Sequence, residues 1–557
     1  MLRAPIVSRF ALLIGAAMAL PQLLGCLEHP LKLVEYDKTQ VDQTGIQLAV
    51  NKDVDILFVI DDSGSMAEEQ ALLAANFGAF IGVLEAPDVK ANYRIGITTT
   101  DMGNPRCSSA KTTPSKGGLI LSSCLDRVDQ GDFVFDGVEP ALDASFACTD
   151  TCSKTDAELT IRPTTTDFDE DAKPRPWLES IEGVANIPDD VSTLEAFQCF
   201  GPQGVAGCGF ESHLESMYQA LTRADINGDS NYGFLRDKAI LSVVFLTDEL
   251  DCSLNEAHKD IFMGNKVFWN SVDDPVPTSA ACLRAGVECE GDGDPSYESC
   301  YAQNFDEAGN AGASDDDAVL YPVGRYSGFL QGIEDQKREA DMDQDVLVAM
   351  IGGVPEGYAA GDAEITYSSV ADQSFLDDFG LAPGCTLGEG KALPPVRMKE
   401  FAESFQVGDE RNMFSICQNN YSAALGSIAD KIRDQIKPAC MPQCVKDIDT
   451  TTPILDPECT LVEENPTTGE SMPILECVKE GAEWVPEGDD SVCYVALVDD
   501  SSETMSSEDD LSEYCSDLGY NLEFQLVRTS AAPAGSQITA TCLLSELAEA
   551  DCPNFAG

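Results

Sequence analysis

The sequence opens its folded part with a nearly unbroken apolar run, Val54-Asp55-Ile56-Leu57-Phe58-Val59-Ile60. Its β-branched residues and lack of alternation predict a strand buried on both faces. Ala239–Leu246 and Asp345–Ile351 repeat that pattern, and Asn92–Thr100 alternates enough to be another strand. Between these runs the spacing changes to that of helices. Leu73, Phe77, Phe80 and Leu84 follow one acidic turn, with Glu68 and Glu69 where a helix dipole favours acids. Leu214, Met217, Tyr218 and Leu221 mark a helix over Glu211–Ala224. Tyr421, Leu425, Ile428, Ile432 and Ile436 mark a last helix over Asn419–Ile436, which Pro438 ends. Strands buried on both faces, alternating with helices, predict an α/β fold: a doubly wound, mostly parallel sheet with helices on both faces.

Two stretches interrupt this rhythm. Residues 101–206 and 252–335 are rich in Asp, Pro and Cys and are expected to be disulfide-stapled insertions in one domain spanning 53–437. Residues 438–557 hold eight cysteines and short strand-like runs at Tyr494–Val498, Leu522–Val527 and Ile538–Leu543, which predict a small β-rich module. Of 21 cysteines, all but Cys26 fall into groups of even number, at 107–208, 252–300, 385–417 and 440–552. Local pairing inside each group is possible, with connectivity open. Zinc is a poor alternative, because the chain has only three histidines and none lies near the Cys-x3-Cys spacings.

Charge narrows the function classes. With 97 acidic against 34 basic residues, the formal charge of -63 repels phosphate backbones and excludes nucleic acid as a partner. Residues 1–25 have a positive end at Arg3 and Arg9 and an apolar stretch from Phe10 to Leu24, which predict a cleaved export signal. That stretch ends in Leu23-Leu24-Gly25-Cys26, which resembles the lipobox of bacterial lipoproteins. The resemblance implies lipidation at Cys26, a spacer over 26–52, and a body held to the membrane by its lipid alone. The expected location is the bacterial cell envelope, at the outer membrane or cell surface.

Candidate chemistry lies at the ends of two buried strands, where an open parallel sheet collects its ligand-binding residues. Asp61-Asp62-Ser63-Gly64-Ser65-Met66 follows the first strand, and Thr247-Asp248-Glu249-Leu250-Asp251 follows the later one. If the strands are neighbours, up to five carboxylates converge, and hard cations take such oxygen ligands. Asp61-x-Ser63-x-Ser65 with the later Thr-Asp resembles the metal-ion-dependent adhesion motif of von Willebrand factor type A domains, whose fold is Rossmann-like. The resemblance implies a divalent metal, Mg2+ or Ca2+ with Mn2+ possible, held by Asp61, Ser63, Ser65 and Asp248. It further implies a protein partner whose own acidic residue completes the metal shell. That family places a threonine before the middle helix. Here the stretch reads Ala206-Gly207-Cys208-Gly209-Phe210-Glu211, so Cys208 stands near the missing hydroxyl and Glu211 is a further candidate oxygen ligand. The string Asp225–Asn231 alternates oxygen ligands like a calcium loop, but Ser230 stands where that loop needs glycine and Arg236 where it needs the closing glutamate. No catalytic constellation is present, so a binding protein is expected rather than an enzyme. A structural envelope component with a vestigial site is the alternative, and a hydrolase ranks last.

Overall fold

A computed structural model describes residues 46–47 and 52–552, except 87–88, 108–112, 138, 341–343, 437, 452–453, 466–468, 481–482, 489, 499–510, 530–536 and 549–551. The export signal and Cys26 lie outside the described residues. The fold is mixed α/β around a seven-stranded sheet. Its strands are β1 (Asp53–Ile60), β2 (Asn92–Thr99), β3 (Trp177–Ile181), β4 (Val184–Ala185), β5 (Ile240–Leu246), β6 (Leu347–Gly352) and β7 (Met413–Ser415). They lie in the order β7-β6-β5-β1-β2-β3-β4. The run from β7 to β2 is parallel, while β3 and β4 add on antiparallel.

The period of two in β1 shows how one strand serves two cores. Val54, Ile56, Phe58 and Ile60 point to one face, and Leu57 and Val59 to the other. The first face is covered by α1 (Ala67–Asn76), α2 (Gly78–Leu84), α3 (Thr193–Phe200) and α7 (Ser422–Arg433). The second is covered by α4 (His213–Ala224), α5 (Val323–Ala340) and α6 (Val396–Glu403). Phe58, Phe77, Phe80 and Phe197 form an aromatic knot beneath α1 and α2, with Phe77 and Phe197 stacked at 3.6 Å.

Two elements arise where the sequence suggested insertion. Trp177–Ala185 builds β3 and β4 onto the sheet edge, and Val323–Ala340 forms the long helix α5. The remaining insert chain is stapled by Cys107–Cys208, Cys124–Cys148, Cys152–Cys199, Cys252–Cys282 and Cys289–Cys300. Cys385–Cys417 joins the short strand Cys385–Leu387 to the loop after β7. Every pair falls within its own cysteine group.

A second seven-stranded sheet follows, with its own core of Leu461, Ile474, Val492, Tyr494, Leu522, Phe524 and Ala540. Four disulfides, Cys440–Cys515, Cys444–Cys552, Cys459–Cys542 and Cys477–Cys493, cross-link it. Its outer strand is Ile46–Gln47, which pairs antiparallel with Thr539–Ala540 before the chain enters β1. The module meets the central sheet at the end where the parallel strands begin. There Arg528 acts on Glu182, whose backbone N–H donates to Asn92 at the start of β2.

Candidate functional site

The strand order reverses between β1 and β5: from β1 the chain steps to β2 on one side, and later to β5 on the other. The C-terminal ends of β1 and β5 therefore open a crevice between diverging connections. The Asp61–Met66 turn leaves β1, and Thr247–Glu249 leaves β5 beside it. The Asp61 N–H donates to Leu246 O at 3.0 Å, which carries the strand pairing into the crevice floor.

The sequence-expected residues do meet there. Asp61 is fully buried, and Ser63 Oγ lies 3.4 Å from Ser65 Oγ. Exposed Ser65 donates to Asp248 Oδ1 at 3.1 Å. Glu211, 2% exposed, joins them from the loop before α4. Of the other acids expected to converge, Glu249 belongs to the cluster, but Asp251 does not. Asp251 turns away to Arg397 at 3.0 Å and to Ser253 at 2.6 Å. Glu69 of α1, noted in the sequence only for the helix dipole, lies close enough to act on Asp248.

The oxygens expected to hold a divalent metal are bonded to one another instead. Asp61 Oδ1 accepts the Ser63 N–H at 2.8 Å, and Asp61 Oδ2 accepts the Thr247 hydroxyl at 2.7 Å. Among the described residues, no group of three or more His, Cys, Asp or Glu side chains is placed to hold a metal ion. The expectation of Mg2+, Ca2+ or Mn2+ as a cofactor is thus corrected, and with it the shell that a partner's acid would complete. Asp61, Ser63, Ser65, Asp248 and Glu211 form a hydrogen-bonded, electrostatically coupled cluster without the donor set of an ion.

Further residues, not singled out in the sequence, hold this floor rigid. Gln70 of α1 donates to Asp61 O and Gly204 O at 2.7 and 2.8 Å, and its Oε1 accepts the N–H groups of Gln203 and Gly204. His213 Nε2 lies 2.7 Å from Thr247 Oγ1. The Thr247 hydroxyl has one proton, which it donates to Asp61. His213 then donates through Nε2, while its Nδ1 lies 3.9 Å from Asp251 Oδ1. Both side chains are fully buried, so this relay braces two strand ends rather than facing solvent. Cys208, beside the place of the missing threonine, is bonded to Cys107. That bridge joins the loop after β2 to the loop carrying Glu211. The Gly207 N–H donates to Asp62 O at 2.8 Å, and a Cβ at Gly207 would fall on the Asp62 carboxylate.

The electrostatics are one-sided. Burial, then Asp61 and Glu249, push the Glu211 carboxyl well above the usual range. Burial, then Asp61 and Glu69, do the same to Asp248, and burial, then Asp248 and Asp61, to Glu249. Glu69 is pushed up to about 7, chiefly by burial. Asp62 also rises, through burial and then Asp101 and Asp61. Arg127 offsets part of the rise at Asp62, while the strongest charges on Glu211, Asp248, Glu249 and Glu69 are all negative, so these carboxyls favour their protonated form.

No family model matches this sequence, and no curated protein is significantly similar to it. Among solved structures, the pilus adhesin SpaC of Lactobacillus rhamnosus GG aligns in two crystal structures, one of them an open conformation. Both are 10% identical with a TM-score of 0.27, and both span 89% of this chain. The alignment reaches only 40% and 39% of the adhesin chains. At that TM-score the likeness carries no argument about fold or function. No helix among the described residues is long and apolar enough to cross a membrane. The ten disulfides suit a protein of an oxidising compartment outside the cytoplasm.

Proposed function

We propose that this chain is an exported, non-catalytic binding protein, tethered to the bacterial envelope by lipid at Cys26, that recognises a partner protein at the crevice between β1 and β5. Its fold is read as a doubly wound domain of the von Willebrand factor A type, carrying the insertions and the disulfide-stapled module as additions. One observation carries the reading: Asp61, Ser63 and Ser65 from one strand end meet Asp248 from the next, at the place where strand order reverses. Crevices at that point are where open α/β sheets bind their ligands. The absence of a solvent-facing histidine in the crevice argues for binding over hydrolysis, since His213 is enclosed and spent on Thr247. Recognition in this reading uses no metal.

Ser65 supplies the test, because it is exposed and donates to Asp248. The full-length chain in mild detergent should retain a discrete partner from envelope extract. Ser65→Arg, which plugs the mouth and places a cation beside Asp248, should reduce that capture by about ten-fold while leaving the melting temperature unchanged. Equal capture by both proteins would sink the binding role and favour a structural envelope component.

A further inference from the structure

Both ring nitrogens of His258 face acceptors. The short 3-10 helix Glu256–Phe262 starts at Asn255, whose side chain accepts the Ala257 N–H at 3.1 Å, and it kinks at His258. There Nδ1 lies 2.9 Å from Glu307 Oε1, and Nε2 lies 3.0 Å from Asp316 O. A carboxylate and a backbone carbonyl have no proton to give, so the ring must donate to each. A neutral imidazole has one N–H and can serve only one of them. Filling both bonds takes the doubly protonated imidazolium.

The surroundings favour that charged form. Glu307 and Asp317 face the ring from the loop, while Glu256, Lys259 and Asp260 flank it on its own helix. The Asp316 carbonyl, then Glu307, raise the His258 pKa above the usual 6.5, against the opposing effect of burial. The side chain is 17% exposed, so protons reach it without the fold opening. The loop it meets is closed at its base, where the Val319 N–H donates to Phe305 O at 2.9 Å and Leu254 pairs with Leu320. Beyond that base, His258 holds the loop on both sides of the exposed stretch 310–312. On the Glu307 side, Asn265 Nδ2 adds a bond to Glu307 O at 2.6 Å that does not depend on charge.

We infer that His258 is a proton-operated clasp on the surface of the 252–335 insert: as the imidazolium it ties the loop to the helix at Glu307 and at Asp316, and as the neutral ring it keeps Glu307 and releases the turn Ser314–Asp317. When the ring loses a proton, the carboxylate, as the stronger acceptor, keeps the remaining N–H. Nε2 then turns a lone pair on the Asp316 carbonyl oxygen, and the two repel. For a histidine whose folded pKa is raised, the contribution is full below about pH 6.5 and is lost as pH rises through the folded value. The loop is therefore closed in acid and loosened in alkaline medium.

Two measurements on the full-length chain test this. The chain has three histidines, His29, His213 and His258, so isotope-labelled histidine gives few ring signals in NMR, and His258→Gln identifies the one from this site. Its titration midpoint should lie above about 6.5, and Glu307→Gln should move it down toward that value. Hydrogen exchange over residues 304–317, corrected for the intrinsic change of rate with pH, is the second readout. In the parent it should speed up by about three-fold or more between about pH 6 and about pH 8.5. In His258→Gln, whose amide does not titrate, the corrected rates at the two pH values should agree within about 1.5-fold. A midpoint at or below about 6.5 would mean a ring that gains nothing from its two acceptors, and would overturn the inference. Exchange that ignores pH in the parent, or that follows pH alike in His258→Gln, would overturn it as well. Both substituted side chains lie at the surface, so neither variant puts the core at risk.

Discussion

Two neighbouring side chains of α1 make opposite demands on the fold. Gln70 satisfies both of its amide atoms with four backbone partners and ties the helix to the crevice floor. Glu69, one position earlier, carries a carboxyl raised from 4.5 to about 7, with a buried oxygen that nothing satisfies. For an acid whose folded pKa is raised, the folded state keeps its proton longer than the unfolded chain. Stability is therefore full below about pH 4.5 and declines as pH rises toward 7, by about 3 kcal/mol for this one group. Asp248, Glu249 and Glu211 act in the same direction. Glu69→Gln should melt at a higher temperature than the parent at pH 8 and at nearly the same temperature at pH 4.5. Parallel melting curves across that range would contradict the assignment. Asp61, Ser63, Ser65 and Asp248 were legible in the sequence because each sits one turn beyond a run of apolar residues. Gln70 and His213 were not, since their roles depend on contacts across 134 and 34 residues.

At the scale of elements, legibility followed burial. The strands β1, β5 and β6 announce themselves because helices cover both of their faces and every position is apolar or nearly so. The strand β3 reads Trp-Leu-Glu-Ser-Ile, and its Glu179 is buried only because Arg94 of β2 reaches it and Trp177 Nε1 donates to it at 2.9 Å. No single stretch of sequence carries that information. The helix α5 hides differently: Gly324, Gly328 and Gly332 lower its intrinsic helicity, and packing through Tyr326 and Leu330 overrides the propensity. Cys208 shows the gain from structure most directly, since its partner Cys107 lies 101 residues earlier. Replacing both cysteines by alanine should cost about 2–4 kcal/mol in urea denaturation. Amide hydrogen exchange should speed up over residues 204–212 and leave α7 unchanged. Unaltered exchange in that loop would show that Gln70 alone fixes it.

The whole molecule divides its charge by location. Acids outnumber bases across the chain and keep it dispersed, while buried acid–arginine pairs form where the parallel strands begin, beside Asp251, and within the second module. Arg528 belongs to the module and neutralises Glu463, yet it also lowers Glu182 of the β3–β4 turn against the effect of burial. Arg528→Met should therefore destabilise both parts together, by roughly 3–5 kcal/mol, as one cooperative transition. Two separated transitions, with the first sheet unaffected, would show that the parts unfold independently. The alternation of apolar runs made the α/β core and the stapled module readable, but not their junction, which depends on a few polar residues.

The strand Ile46–Gln47 has a mechanical consequence. It is zipped to the last strand of the second module, just ahead of β1 in the middle of the central sheet. Tension entering from the N-terminal side loads this two-residue bridge first, and Cys459–Cys542 holds the strand behind it in place. Only after the bridge peels does the load reach β1. That strand is bonded on both sides along its length, so its ladders must be sheared together rather than opened one by one. A pull on the chain ahead of Ile46 would thus spend its first extension on a two-residue fastening, and the far end of β1 would keep its shape under load.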